Sequence, residues 1–259
     1  GELTLSIKIY ESLSHIFRVK DKKYFLNNCV LLRDNWGQIK GGNITYSNNK
    51  ESFDLGREKG IRRSKERAHR FDINCSLSVD LAYFIGLFIA EGFTNKYGRY
   101  YLTQFVGNKN EEFDFYLNFI SPMSVKLLGI RPNIREIKGK NAVRINYYSK
   151  DLFEMLTKRF NIRHGRKSDS VLIPKEILES KKEVILSCIS GIYDGEACFF
   201  VDRRKSYKKS YPRIDLHMSN PGLIKQISEI LATQGVKNSV SGNFARIYIY
   251  GDKNIRNFL

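Results

Sequence analysis

Two glutamates stand at the ends of two apolar segments, and their placement suggests a metal site. Glu91 lies at the end of segment 77–92 and Glu196 at the end of segment 183–197, so the two acids are 105 residues apart. Carboxylates that meet at helix C-terminal ends repel each other, because those ends already carry partial negative charge. Such a pair favours a hard divalent cation with oxygen ligands, most naturally Mg²⁺, which on a phosphodiester can generate hydroxide and neutralise the leaving oxygen. The alternative is a pair of solvent-exposed glutamates that bind nothing.

Small residues recur at every fourth position of both apolar segments. They are Ala82, Gly86 and Ala90 in the first segment, and Ser187, Gly191 and Gly195 in the second. Residues spaced by four lie on one face of an α-helix. A glycine inside a helix costs about 0.5–1 kcal/mol relative to alanine, which is tolerable if the stripe lets two helix backbones approach closely. We therefore predict two helices that pack about a pseudo-twofold axis, with the acids at adjacent tips. We assign Ala90 and Gly195, which directly precede the acids, to the same metal site.

The two apolar segments begin two copies of one pattern. In each copy the apolar helix is followed by two strands, a helix, two further strands and the start of another helix. The pattern predicts a first repeat at 77–164, a linker at 165–182 and a second repeat at 183–259. Because the second copy ends inside its last helix, we expect its C-terminal end to be incomplete.

Residues 1–70 precede the repeats, and their role is not evident from the sequence. Their pattern predicts a strand over 3–9, a short helix near 11–18, an apolar segment at 24–32 and a loop over 34–50. Within this part, residues 57–70 form a basic arm with seven Lys or Arg against two Glu. The arm is either a solvated helix or flexible segment, or a linker that contacts DNA.

The composition favours a polyanionic partner. Lysine and arginine total 44 against 27 acids, which gives a net charge of +17 and a pI of about 9.7. Such a charge attracts nucleic acid in an association that salt weakens, although a role in solubility alone is the alternative. No apolar run reaches the roughly 18 residues of a membrane span, and no basic amphipathic helix has a wide apolar face, so we exclude a membrane partner. The four cysteines show no metal-ligand spacing and no secretory signal is visible. We therefore expect an intracellular protein of the cytoplasm, the nucleoid or an organelle matrix.

The segments FIGLFIAEG (84–92) and ISGIYDGEA (189–197) resemble the paired signature segments of the LAGLIDADG homing endonucleases of the single-chain, two-repeat type. The resemblance covers about residues 77–259. It implies a mixed α/β fold of two αββαββα repeats, in which two saddle-shaped antiparallel sheets lie in the DNA major groove. It also implies a monomer that binds double-stranded DNA and makes Mg²⁺-dependent double-strand breaks at a long, rare site, in association with an intron or an intein. Ca²⁺ is expected to bind without supporting cleavage.

Members of this family also act as RNA splicing maturases, with structured RNA as a partner, or as DNA-binding regulators that do not cleave. Those roles usually accompany loss of the signature acids, and both acids are present here. Two residues depart from the family pattern. Ala197 replaces the usual glycine, and Ile89 stands where an acid is common, a place that Asp194 fills in the second segment. Neither departure removes Glu91 or Glu196.

The resemblance suggests further site residues with more ordinary alternatives. Gln104 matches a strand position that often orders the water network, with His217 as its rough partner in the second copy, although either can be an ordinary surface residue. Lys167 matches a basic residue near the scissile phosphate, against the alternative of a solvated linker lysine. Because a β-surface can present side chains to base edges in the major groove, basic and aromatic residues of the strands and their loops are candidates for DNA contacts. These are Lys96, Arg99, Tyr101, Arg135, Lys138, Lys140, Arg144, Arg203, Arg204, Lys205, Lys208, Lys209, Arg213, His217 and Arg246.

Overall fold

The structure is a computed structural model, and it describes residues 3–67, 70–202 and 211–258. The chain divides into two compact units with the boundary between residues 68 and 69. Within the described ranges, no helix combines the length and the apolar character that a membrane crossing requires.

The first unit is small and mainly helical. Its elements are β1 (Leu3–Ser6), α1 (Ile7–Leu13), α2 (Val19–Asn28), β2 (Cys29–Leu32), α3 (Trp36–Asn48) and α4 (Lys50–Arg67). β1 and β2 pair in parallel. The strand predicted over 3–9 therefore ends at Ser6, and the predicted apolar segment 24–32 divides between the end of α2 and β2. The basic arm predicted at 57–70 is helical as far as Arg67.

The prediction of a loop over 34–50 is wrong, because most of this segment forms α3. Within this helix the hydroxyls of Thr45 and Ser47 donate to the carbonyls of Gly41 and Asn43, at 2.8 and 2.9 Å. No residue of α3 is buried. The content of Gly, Asn and Ser hid the helix from the sequence pattern, since α3 presents no apolar face with helical periodicity.

The second unit carries two copies of the same element order. The first copy contains α5 (Val79–Glu91), β3 (Phe93–Tyr97), β4 (Tyr100–Asn108), α6 (Lys109–Phe115), a π-helical turn (Tyr116–Ile120), α7 (Ser121–Leu128), β5 (Asn133–Glu136), β6 (Ala142–Tyr148), α8 (Lys150–Glu154) and a second π-helical turn (Met155–Arg159). The short α9 (Lys175–Leu178) lies in the predicted linker. The second copy contains α10 (Lys182–Glu196), β7 (Ala197–Asp202), β8 (Tyr211–His217), α11 (Pro221–Thr233), β9 (Ser239–Val240), β10 (Arg246–Tyr250) and α12 (Asp252–Phe258).

Local signals in the sequence explain where these helices begin and end. The Ser78 hydroxyl accepts a hydrogen bond from the Leu81 N–H at the start of α5. The side-chain oxygen of Asn220 accepts from two N–H groups at the start of α11. Side chains of this kind satisfy the free donors of a first helical turn. After the middle helix of each copy, Gly129 and Gly235 take left-handed φ values of 65° and 77°, which glycine adopts without strain.

Each copy builds a four-stranded antiparallel sheet of the same topology. Sheet 1 has the order β3-β4-β6-β5 and sheet 2 the order β7-β8-β10-β9. One face of each sheet is covered by helices and buries alternate strand residues, such as Phe105 and Ile145 in sheet 1 and Leu216 and Ile247 in sheet 2. We call the opposite faces the open faces of the two sheets. The predicted mixed α/β fold of paired repeats is confirmed.

Candidate functional site

The helices α5 and α10 pack against each other with their backbones in close contact. A Cβ atom placed on Gly86 would lie 1.9 Å from the carbonyl oxygen of Cys188, and one placed on Gly191 would lie 2.2 Å from the carbonyl oxygen of Tyr83. No side chain fits in either gap, so glycine is required at both positions. The Ser187 hydroxyl also donates to the Val79 carbonyl at 2.9 Å across this interface. The predicted helix pair, in contact through its small residues, is confirmed.

The interface contains a hydrogen bond between two side chains that its pseudo-symmetry does not repeat. The Tyr83 hydroxyl donates to Asp194 at 2.5 Å. Burial and the adjacent carboxylate both raise the pKa of Tyr83, so the hydroxyl keeps its proton. The matching positions in the other direction are held by Cys188 and Ile89, which are both buried. Ile89 is the residue that departs from the family pattern. An acid at this position would face Cys188, which has no hydroxyl to donate a hydrogen bond.

The tips of the two helices bring the two predicted metal ligands together. A Cβ atom placed on Gly195 would lie 2.7 Å from the Ala90 Cβ and 3.1 Å from the Glu91 Cγ, so the ends of α5 and α10 touch. Burial and the nearby carboxylates of Glu196 and Glu112 raise the pKa of Glu91 to about 7. Burial likewise raises the pKa of Glu196. A cation would stabilise two half-buried acids of this kind, in which the charge of Glu196 disfavours that of Glu91.

Two carboxylates, rather than a larger cluster, make up this site. Across the described ranges of the chain, no group of three or more His, Cys, Asp and Glu side chains is arranged to hold a metal ion. A cation at the helix tips would therefore need backbone carbonyls, water or a ligand's own oxygens to complete its coordination. Ala90 and Gly195 supply backbone at the point where the tips touch.

Lys167, in the linker between the repeats, lies close to the two acids. Its side chain is only 8% exposed, and its Nζ donates to the Ile89 carbonyl at 2.8 Å. The ammonium also lies 5.4 Å from the ring of Phe88. Burial lowers the pKa of Lys167 to about 8, while both glutamates oppose that shift. The alternative of a solvated linker lysine is therefore wrong, and the structure places a buried cation beside the paired acids.

Gln104 lies on the open face of sheet 1, one strand away from the acid-bearing helix tip. It pairs with Phe93, two residues after Glu91, and its side-chain amide donates to the Asn146 Oδ1 at 2.6 Å. In sheet 2 the residue two positions after Glu196 is Cys198, and it pairs with Asp215. Asp215, and not His217, is thus the counterpart of Gln104.

His217 occupies a different matched position. It pairs with Arg246 in the way that Val106 pairs with Arg144. Arg144 and Arg246 therefore stand at equivalent places in the two repeats. The sequence pointed to the wrong partner for Gln104 because the strand register, which fixes the correspondence, is not visible in a simple alignment of the two copies.

Most basic candidates for DNA contacts lie on the open faces or their turns. On the open faces are Arg135, Arg144, Arg213, His217 and Arg246, and in the turns of sheet 1 are Arg99, Lys138 and Lys140. Arg203, Arg204, Lys205, Lys208 and Lys209 lie outside the described residues.

Lys96 and Tyr101 do not belong with the open-face candidates. They pair with each other, and strand alternation places them on the side of buried Thr94 and Thr103. The Lys96 Nζ lies 5.4 Å from the Tyr101 ring, which packs 5.2 Å from Phe153 on α8. The structure thereby separates these two residues from the surface on which the other candidates lie.

These features describe two pseudo-symmetric α/β repeats that share an acid-tipped helix pair and present two open sheet faces. Residues 183–259 match the family model described as a LAGLIDADG-like domain. This match confirms the predicted resemblance over the second repeat. No curated protein sequence matches the chain.

Several solved structures are similar to this chain at low identity. I-DmoI in complex with DNA and Mn is 18% identical, covers 70% of this chain and 94% of its own, and gives a TM-score of 0.48. The homing endonuclease I-WcaI bound to its DNA recognition sequence is 17% identical, covers 71% of this chain and 80% of its own, and gives 0.49. The I-LtrWI LAGLIDADG homing endonuclease bound to target DNA is 14% identical, covers 70% and 82%, and gives 0.41.

Proposed function

We propose that this chain is a site-specific DNA endonuclease of the homing type, which makes metal-dependent double-strand breaks as a monomer in association with an intron or an intein. The observation that carries the proposal is the meeting of Glu91, Glu196 and Lys167 at the tips of α5 and α10. In each repeat the strand that starts at this tip leads directly into an open sheet face. A reaction at the tips would thus take place between two surfaces able to hold one duplex.

The charge on these surfaces suits the phosphodiester backbone. The chain carries a net charge of +17, and arginines stand at matched positions of both open faces. Lys and Arg that neutralise phosphates release counterions, so such binding weakens as salt rises. A β-surface in the major groove can also reach base edges, which supplies the basis for recognition of one site.

The paired acids fit a divalent cation such as Mg²⁺. Their oxygens are the ligands that this ion prefers. Burial and the carboxylates of Glu196 and Glu112 raise the pKa of Glu91 to about 7, although Lys167 opposes this rise. We assign Glu91 and Glu196 as ligands, with the Ala90 and Gly195 backbone beside them. A bound cation of this kind supplies an activated water and charge neutralisation at the leaving oxygen.

Lys167 would supply a positive charge that needs no ion. Its Nζ is held by the Ile89 carbonyl and lies close enough to both acids to feel their charge. With a pKa of about 8, the group is mostly protonated at neutral pH but close to the range in which it can exchange a proton. We expect it to stabilise negative charge on the phosphate under attack.

The test is cleavage of a plasmid library that carries randomised inserts, supplemented with the host locus lacking the insertion where that locus is known. The protein is incubated with Mg²⁺, with Ca²⁺ and with EDTA, beside a Glu91→Gln, Glu196→Gln double variant. A matched control changes two exposed acids, Glu111→Gln and Glu229→Gln, and so alters the net charge equally away from the site.

Specific double-strand cuts that require Mg²⁺, persist in the control and vanish in the Glu91, Glu196 variant are the expected result. Site-specific binding without any cutting by the unmodified protein would move the assignment to a DNA-binding regulator. Failure to bind duplex DNA even at low salt would overturn the proposal as a whole.

A further inference from the structure

An ion pair lies on the open face of sheet 2, where a solvated surface would be expected. The Arg213 Nε lies 2.7 Å from the Asp215 Oδ1. The two side chains are only 27% and 10% exposed. Both belong to β8, two residues apart, and the intervening Ile214 points to the buried face.

Aromatic rings from both neighbouring strands also hold the guanidinium in place. Its carbon lies 5.2 Å from the ring of Phe200 on β7 and 5.9 Å from the ring of Tyr248 on β10. Guanidinium groups favour such ring faces. The contact between Nε and Oδ1 is an ion pair and not a hydrogen bond, and it leaves the two Nη groups as the donors that an incoming ligand meets, as far as the described residues show.

Sheet 1 offers no equivalent arrangement. The strand register matches Arg213 with Leu102, Asp215 with Gln104, and Tyr248 with Asn146. At these places sheet 1 has an apolar side chain and an amide pair in which Gln104 donates to Asn146 at 2.6 Å. The two open faces therefore differ in chemistry close to the paired acids.

We propose that Arg213 is a specificity-determining residue that reads one guanine in the half-site bound by sheet 2, and that Asp215 is its positioning residue. A guanidinium fork donates to guanine O6 and N7 in the major groove, and a fork that is already oriented loses less side-chain freedom on binding. Sheet 1, with Leu102 at the matched position, imposes no such requirement. The requirement for this guanine is therefore confined to one half-site. This inference rests on the proposed binding of duplex DNA and deepens it.

The test is selection of bound sequences from a randomised duplex library by the full chain in Ca²⁺. Substitution of Arg213 alone would leave Asp215 buried without a partner and could unfold the protein, so the main variant is Arg213→Gln with Asp215→Asn. The matched control is Lys225→Gln with Glu229→Gln, an exposed pair on α11 whose removal is also neutral in net charge. Circular dichroism confirms that every variant is folded.

The unmodified protein and the control should enrich one guanine in one half-site, by about 5- to 150-fold over the other bases. The Arg213, Asp215 variant should lose preference at that position alone. Asp215→Asn by itself should reduce this preference and leave every other position unchanged, a pattern that a merely structural residue would not produce.

Two results would count against the inference, and they are distinguishable. Enrichment by the variant of the same guanine as the unmodified protein overturns the assignment of Arg213 and leaves the proposed function intact. No enrichment of any sequence by the unmodified protein overturns the proposed site-specific binding, and the assignment with it.

Discussion

Substitution of Gly86 by alanine should separate the two central helices. The added Cβ would lie 1.9 Å from the Cys188 carbonyl oxygen, whereas ordinary contact begins near 3.4 Å, so the backbones must move apart by about 1.5 Å. Overpacking of a core typically costs about 1–3 kcal/mol, and here no flexible side chain can turn aside to absorb the clash. We expect a loss of about 3 kcal/mol or more in the free energy of unfolding. For a unit of this size, that loss corresponds to a fall in Tm of roughly 6–12 °C.

The matched control is Gly60→Ala in the helix α4. Nothing lies within 4 Å of a Cβ at Gly60. Alanine should therefore stabilise this helix by about 0.5–1 kcal/mol through its better helix propensity. Urea unfolding followed by far-UV circular dichroism measures both variants. Fluorescence of Trp36, the only tryptophan of the chain, follows the unit that holds Gly60. Equal stability of Gly86→Ala and the unmodified protein would show that the backbones are not in contact there.

Three further predictions concern the helix tips and the polar pair of the interface. Because its pKa is raised from 4.5 to about 7 on folding, charged Glu91 lowers stability progressively as pH rises from about 4.5 to 7. Without divalent cations, the Glu91→Gln variant should therefore be more stable than the unmodified protein above pH 7, by about 1–2 kcal/mol after allowance for solvent screening. Urea unfolding at several pH values measures the difference, and a difference that does not change with pH would refute this. Lys167→Gln can keep a hydrogen bond to Ile89 but carries no charge. It should abolish cleavage in single-turnover assays with a Tm within about 3 °C of the unmodified protein, and undiminished cleavage would remove Lys167 from the site. Tyr83→Phe should lower the free energy of unfolding by about 1 kcal/mol. A double-mutant cycle with Asp194→Ala should show a coupling energy of similar size. Purely additive losses would mean that the Tyr83 hydroxyl contributes nothing through this hydrogen bond.

The sequence predicted the centre of the molecule better than its surfaces. The stripe of small residues and the two acids follow from helical periodicity, which is a local property, and the structure places both as predicted. The burial of Lys167 has a different origin. It depends on a linker that folds back so that Nζ reaches Ile89, a residue 78 positions earlier in the chain. The sequence pointed to Lys167 only through a family resemblance.

Strand register limited what could be predicted for the sheets. Gln104 follows Glu91 by 13 residues, whereas Asp215 follows Glu196 by 19, because the first hairpin of the second repeat is longer. The strand register, and not the distance along the chain from the acid, therefore identifies Asp215 as the counterpart of Gln104. A shift of one position along a strand moves a side chain to the other face of the sheet. For the same reason, the sequence placed Lys96 and Tyr101 among the candidates for DNA contacts although they lie on the face opposite the open face.

The hydrogen bond between Tyr83 and Asp194 makes the two halves of the helix pair complementary and not interchangeable. A self-paired first repeat would set Tyr83 against Ile89, and its hydroxyl would lose the carboxylate that accepts its hydrogen bond. A self-paired second repeat would set Asp194 against Cys188, which offers no comparable donor. Each half is therefore a poor partner for its own copy and a good one for the other. This hydrogen bond therefore favours assembly of the two unlike halves, and a single polypeptide supplies them in equal number.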